Sequence, residues 1–176
     1  MKPIFIGQAP GTRKADSAEL AVLIGRTVAK RSGMEPSALE SGFEAMNILD
    51  AHPGKNGKGD AFPVKKGDGA AVVKERTKED QLLLMMGRAV ARACGAKMDR
   101  PYFEVFSWEG RKAAIIPHPS GINLWWNDGG NKAIARDFML GLVGTVVVKE
   151  SEREVPRSNG PRPVPKPSKS KRQQTA

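Results

Sequence analysis

The chain has 176 residues, of which 39% are hydrophobic, and it carries a formal net charge of +10. This length predicts one domain with a core plus a tail, and the positive charge suits a polyanionic partner such as nucleic acid. No apolar run approaches the roughly 18 residues that a membrane span requires. The single cysteine, Cys94, excludes an internal disulfide and a cysteine-ligated zinc or iron–sulfur site.

The N-terminal residues and the cysteine content indicate the cellular compartment in which the protein is expected. The N-terminal apolar run, Ile4 to Ile6, is too short for a secretory signal and predicts a first strand instead. A single cysteine also gives no disulfide framework of the kind found in small secreted domains. We therefore expect a cytoplasmic monomer without a membrane contact, a metal ion or another cofactor.

The composition changes near residue 150 and divides the chain into two predicted regions. Residues 1–149 contain the apolar runs and predict one α/β domain. Residues 150–176 are polar, basic and rich in proline, which predicts a disordered tail. From residue 151 onward, seven basic residues stand against two acidic ones, a net charge of +5. The tail suits an electrostatic tether to DNA and a solubilising segment equally well.

Strand and helix patterns alternate along the first region. Short runs of apolar or alternating residues predict strands at residues 3–7, 43–49, 81–87, 102–106, 111–116 and 145–148. Helices are predicted at residues 18–32, 88–94 and 130–142. Ser17 is suited to cap the first helix, and the loop after the second strand extends over residues 50–70. The apolar run before Gly87 would also suit a helix, but the glycine favours a strand that ends there.

Strands separated by helices predict a three-layer α/β/α fold with a mainly parallel four-stranded central sheet. Such sheets bind ligands beyond the carboxyl ends of their strands. Polar segments follow three predicted strands, at Gly7 to Gly11, Asn47 to His52 and His118 to Gly121. We expect these segments to meet in one site, although each alone would also serve as a structural turn.

Two of these segments resemble motifs of the uracil-DNA glycosylase superfamily. Gly7-Gln8-Ala9-Pro10-Gly11 is similar to its Gly-Glu-Ala-Pro-Gly motif, and His118-Pro119-Ser120-Gly121 is similar to its His-Pro-Ser motif. Asn47 resembles an asparagine that lies between the two motifs. The resemblance covers residues 3–142 and implies a uracil-DNA glycosylase-like fold. It further implies a hydrolase of base-excision repair that flips uracil, or a related modified pyrimidine, out of DNA and cuts the N-glycosidic bond.

The resemblance also implies catalytic and base-binding residues. The catalytic candidates are His118, Gln8 and Asp16. His118 would donate a hydrogen bond to uracil O2 as negative charge develops there. Gln8, Asp16 or Glu19 would help to place the attacking water. The base-binding candidates are Asn47, Ala9, Pro10, Gly11 and Phe43. The Asn47 amide suits the O4/N3 edge of uracil, which cytosine would mismatch. Phe43 or Phe62 would stack on the ring in place of the family's aromatic segment, which this sequence lacks.

DNA contacts are expected around and after the histidine motif. The DNA-binding candidates are Ser120, Gly121, Ile122, Leu124, Trp125 and Lys55. An apolar side chain after the motif would enter the duplex and offset the stacking lost when the base leaves. Of Trp125 and Trp126, we expect one to be buried and one to be available.

The sequence departs from the superfamily at three points, which leave two alternatives open. Ala9 stands where several families carry an aspartate or asparagine, and the aromatic segment that usually follows the first motif is missing. Families with Gly-Glu-Ala-Pro-Gly commonly hold an iron–sulfur cluster, which Cys94 alone cannot ligate. One alternative is a weakly active or inactive relative that binds DNA or a modified base. The other is a nucleotide- or nucleoside-processing enzyme that uses the same loops for phosphate.

Overall fold

The computed structural model describes residues 1–10, 16–56, 59–121 and 123–153 of the chain. The strands are β1 (Ile4–Gly7), β2 (Glu44–Asn47), β3 (Lys55–Asn56), β4 (Gly59–Asp60), β5 (Leu83–Met86), β6 (Val105–Trp108) and β7 (Arg111–Ile116). The α-helices are α1 (Ser17–Arg31), α2 (Gly69–Arg76), α3 (Arg88–Ala93) and α4 (Gly129–Arg153). Short 3-10 turns lie at Pro36–Leu39 and Leu124–Asn127. No helix within these ranges combines the length and apolar composition of a membrane span.

The main sheet has five strands in the order β2-β1-β5-β7-β6, and β3 and β4 form a separate small hairpin. The first four strands of that order are parallel, while β6 pairs with β7 in the antiparallel sense. The prediction of a four-stranded sheet was therefore one strand short. Glu109 and Gly110 make the tight β6–β7 turn, where both residues have positive φ angles of 51° and 79°. Two positive φ angles match the twist of a two-residue hairpin, so β6 folds back directly onto the sheet edge.

Apolar side chains leave the sheet on both faces because alternate residues of a strand point in opposite directions. Ile4 and Ile6 of β1 pack in one cluster with α2 and α3, whereas Phe5 packs in the other cluster with α1 and α4. The buried run of β5 supplies both clusters, which confirms the strand predicted there. The result is an α/β protein whose arrangement is compatible with three layers.

Helix α1 begins one residue earlier than predicted because Asp16, not Ser17, is its cap. The Asp16 carboxylate accepts a hydrogen bond from the Glu19 backbone N–H at 2.8 Å, and Asp16 itself is extended. This satisfies one of the N–H groups that a helix start leaves without a partner inside the helix.

The helix predicted at residues 130–142 is confirmed, but the prediction of a strand at 145–148 was wrong. Helix α4 continues without interruption from Gly129 to Arg153. The run Thr145 to Val148 has strand-forming residue types, but a strand needs a partner, while an established helix extends through its own local hydrogen bonds. Helix α4 thus crosses the predicted boundary at residue 149, and residues 154–176 of the predicted tail lie outside the described residues.

The region predicted as a loop and the residues after it contain regular structure. The hairpin β3–β4 lies inside the predicted loop of residues 50–70, and α2 follows it. Gly69 starts α2 where an added Cβ would lie 3.1 Å from the Ala93 carbonyl oxygen. Glycine therefore permits the close approach of α2 to the end of α3.

Candidate functional site

The carboxyl ends of the four parallel strands form one edge of the sheet. Gly7 is level with Asn47 across the β1–β2 pair, and Met86 is level with Ile116 across the β5–β7 pair. All three polar segments therefore start from this edge. Asn47 and the chain that leads to His118 are separated by the two central strands, so their backbones lie three strand spacings apart, roughly 14 Å.

The side chain of Asn47 shortens that separation because it extends towards the end of the neighbouring strand β1. Its Oδ1 atom occupies the space where a Cβ of Gly7 would lie, and that Cβ would also be 3.1 Å from Met86 Cε. Backbone pairing continues past Asn47, since the Leu49 N–H donates to the Gln8 carbonyl at 2.9 Å. Glycine at position 7 thus lets the amide reach across the end of β1.

His118 packs against the end of β5. Gly87, with a φ angle of 89°, ends β5, and a Cβ there would be 3.2 Å from His118 Cβ. Asn47 therefore lies over the end of β1 and His118 over the end of β5, and these two strands are neighbours. Two glycines, Gly7 and Gly87, allow both side chains to approach the middle of the edge.

The loop around His118 holds the ring through Nδ1 and favours one tautomer of the neutral imidazole. The Ser120 N–H donates to His118 Nδ1 at 3.2 Å. Because Nδ1 is an acceptor, the neutral imidazole carries its proton on Nε2 and is a donor there. The same bond engages the Ser120 amide inside the loop, so the hydroxyl is the group of Ser120 suited to the predicted DNA contact.

Three side chains hold this loop in place, none of them expected in that role from the sequence. Asn123 Nδ2 and Trp126 Nε1 both donate to the His118 carbonyl, at 3.1 and 3.0 Å. Arg31 Nε donates to the Pro119 carbonyl at 3.2 Å. Asparagine is a common N-cap, which is a usable signal for Asn123, whereas Arg31 lies 88 residues away in sequence and carries no local signal.

Replacing Asn123 with alanine is expected to lower the free energy of unfolding by about 1–2 kcal/mol. Asn123 Oδ1 also accepts from the Trp125 N–H at 3.1 Å, so the change removes two side-chain bonds. Urea denaturation measures the effect, with Asn127→Ala at an exposed position as the control, expected within about 0.5 kcal/mol of the parent. Equal stability of the two variants would show that the Asn123 bonds contribute nothing net.

Phe43 and Asp16 are used in other ways than the sequence analysis expected. The Phe43 side chain is 7% exposed, and its ring stacks on Phe5 with centroids 4.9 Å apart. The Asp16 carboxylate caps α1. Their predicted roles in base stacking and water placement would require each group to leave a contact that it makes in this structure.

A cleft of about 880 Å³ borders strand β2 and joins some of the predicted base-binding residues. Pro10, Phe43 and Asn47 line it, but His118 is not among its lining residues. Arg76 and Asp50, which also line the cleft, form a two-point ion pair with N–O distances of 2.7 and 3.2 Å. The hydrogen bonds from Arg76 lower the pKa of Asp50 below its usual value.

The remaining candidates lie as follows. Trp126 is 1% exposed and Trp125 is half-buried against the rings of Tyr102 and Phe103, so one tryptophan is buried as predicted. The Leu124 side chain is 76% exposed directly beside them. Exposed positions are also occupied by Gly121 and by Lys55 of β3, while Gln8 and Ala9 are half-buried. Gly11 and Ile122 lie outside the described residues.

Cys94 has the properties of a structural rather than a reactive cysteine. It is buried, and burial raises the pKa of its thiol to about 12. Because the thiolate is the reactive form, we expect no alkylation of the folded protein by iodoacetamide at pH 8 and full alkylation after denaturation. Mass spectrometry measures both states, and rapid native labelling would contradict the burial.

Metal ligands and known relatives give no further guide to this edge of the sheet. Within the described part of the chain, no three His, Cys, Asp or Glu residues are grouped closely enough to hold a metal ion. No protein-family model matches the sequence, and no curated protein sequence matches it. The residues of the sheet edge are therefore the basis for assigning a function.

Proposed function

We propose that this chain is a monofunctional DNA glycosylase that extrudes uracil, or a related modified pyrimidine, and hydrolyses its N-glycosidic bond. In the same proposal the domain has the three-layer uracil-DNA glycosylase-like fold and acts in the cytoplasm as a monomer without a cofactor. The observation that carries the proposal is that His118 Cβ lies beside Gly87 at the end of β5, with the ring bound to the Ser120 N–H, while the amide of Asn47 lies beside Gly7 at the end of β1. The resemblance of both end motifs to that superfamily supports it.

His118 acts in this mechanism as a neutral hydrogen-bond donor. As the bond between sugar C1′ and base N1 breaks, negative charge collects on O2 of the leaving base. The Nε2–H of His118 donates to that oxygen, and the bond strengthens as the charge grows. The bonds from Asn123 and Trp126 to the His118 carbonyl hold the donor in position before the reaction, so little reorganisation is needed.

Asn47 supplies recognition of the base. An amide offers one donor and one acceptor, which match O4 and N3–H of uracil, whereas cytosine presents the opposite pattern at both positions. The buried polar groups of a mismatched base would be left without partners, which is the physical basis of discrimination. Leu124, the most exposed large apolar side chain near the loop, takes the place of the extruded base in the stack.

A second candidate, a relative that binds DNA or a modified base without cutting it, is favoured by specific contacts. The Asp16 carboxylate caps a helix, and Phe43 is stacked in the core. Ala9 carries no group that could activate water. With Asp16 capping α1 and no polar group on Ala9, Gln8 and Glu19 remain to place the water, and Phe43 already packs against Phe5.

One experiment separates the two candidates. The full chain is incubated with an oligonucleotide that carries a single uracil, then treated with alkali, and a thymine oligonucleotide of the same sequence is the control. Strand breakage at the uracil alone supports the glycosylase. Binding to both oligonucleotides without breakage supports the second candidate, and neither binding nor breakage contradicts both.

A further inference from the structure

A recess of about 560 Å³ lies between the C-terminal half of α1 and the start of α4. All the charged side chains that line it are basic: Arg26, Lys30, Arg31 and Lys132. Three of these come from α1 and the fourth from α4, so residues distant in sequence build one cationic surface. A concentration of cations in a concave site raises the local concentration of anions.

Helix electrostatics accounts for only part of this cluster. Lys30 and Arg31 are in the last turn of α1, where cations interact well with the helix dipole. Lys132 is near the start of α4, where the dipole disfavours a cation. The nearby Asp128 carboxylate accepts from the Asn131 N–H at 2.9 Å, and Glu40 pairs with Arg26 at 2.7 Å. The helix dipole therefore gives no reason for Lys132 to line the same recess as Lys30.

The recess shares a wall with the His118 loop. Arg31, which lines the recess, donates from Nε to the Pro119 carbonyl at 3.2 Å. Trp126, another lining residue, donates to the His118 carbonyl at 3.0 Å. A polymer that places one unit at His118 would therefore pass its neighbouring units over these cations.

We propose that this recess binds backbone phosphates of the DNA strand next to the base held at the His118 loop, an inference that rests on the proposed function. Arginine suits phosphate because its planar fork donates through several N–H groups at once, and lysine adds a compact charge. Such contacts hold the strand in register without reading its sequence. The motif residues Ser120 and Gly121 then contact the strand on one side of the base, and the recess contacts it on the other.

The test measures binding to duplex DNA that contains no uracil, so that it does not depend on catalysis. The recess variant is Lys30→Gln/Lys132→Gln. The control is Lys97→Gln/Lys112→Gln, two exposed lysines outside the recess lining, which gives the same net charge. Fluorescence anisotropy gives Kd for both proteins between about 50 and 200 mM salt. The tail is identical in both variants, and its contribution cancels in the comparison.

The expected result is a flatter salt dependence for the recess variant alone. Each lost phosphate contact reduces the slope of log K against log salt by about 0.9, so two contacts reduce it by roughly 1.8. Over the fourfold rise in salt, the factor by which Kd increases is then about tenfold smaller for the recess variant than for the control. Equal slopes for the two variants would overturn the proposal.

Further measurements distinguish binding of a DNA strand from binding of a small anion, and the recess proposal from the glycosylase proposal. Inorganic phosphate and a deoxynucleoside monophosphate are titrated into the parent chain and into the recess variant. If either one binds only to the parent chain while the DNA slopes stay equal, the recess binds small anions and does not bind the DNA strand. A flattened slope in a protein that leaves uracil DNA uncut supports the recess and contradicts the glycosylase. Cleavage of uracil DNA together with equal slopes supports the glycosylase and contradicts the recess as a phosphate site.

Discussion

The His118→Ala variant is expected to release uracil about 100- to 1000-fold more slowly than the parent chain while keeping most of its DNA affinity. The change removes the donor that stabilises charge on the leaving base, and it leaves the exposed cations and Leu124 untouched. The loop should survive, because Asn123 and Trp126 bind the backbone carbonyl of residue 118 rather than its side chain. Single-turnover cleavage of a single-uracil oligonucleotide measures the rate.

Ser107→Ala is the matched control for this variant. Ser107 is exposed on the edge strand β6, at the opposite side of the sheet from Asn47, and its replacement also removes one polar side chain. It should cleave at the parent rate. Normal cleavage by His118→Ala would end the proposed mechanism, and a parallel loss of DNA affinity would reassign His118 to strand binding.

The Gly25→Ala variant is expected to lower the free energy of unfolding by about 1–3 kcal/mol. At an exposed position inside a helix, replacing glycine with alanine would raise the free energy of unfolding by up to about 1 kcal/mol. At Gly25 we expect the opposite sign because of the packing around it. A Cβ at Gly25 would be 2.9 Å from the Leu39 carbonyl carbon and closer still to its oxygen. Backbone cannot rotate away as a side chain can, so α1 and the Pro36–Leu39 turn must separate. Urea denaturation followed by circular dichroism measures the change.

Gly144→Ala in α4 provides the contrast. A Cβ there has no neighbour within 4 Å, so alanine only restricts the unfolded chain and favours the helix. We expect it to raise the free energy of unfolding, by up to about 1 kcal/mol. If Gly25→Ala were stabilising as well, the tight contact between α1 and the Pro36–Leu39 turn would be refuted.

The parts of the fold that the sequence predicted correctly are those determined by local pattern. The apolar runs at Leu83–Met86 and Arg111–Ile116 each contain their own signal, and both strands formed as expected. The Thr145–Val148 segment shows the limit of this logic, because its residue types favour a strand that has no partner while α4 extends through it. Helix α2 carried too weak an apolar pattern to be predicted.

The candidate site was predictable in its position and less so in its details. Parallel strands required the three polar segments to share an edge, and the register confirms that they do. Local sequence could not show that Phe43 stacks on Phe5, since that contact depends on how β1 and β2 pair. Nor could it show the bond from Arg31 to Pro119, which joins distant parts of the chain.

The anchoring of the histidine loop determines which partner must change shape during binding. Its two successive carbonyls are held by an indole from the core and by a guanidinium from α1. A loop that is held from two directions is rigid, so in the proposed enzyme the nucleic acid changes shape on binding and the loop does not. Selectivity then begins before any contact with the base, because weakly paired nucleotides swing out of the duplex at the lowest cost.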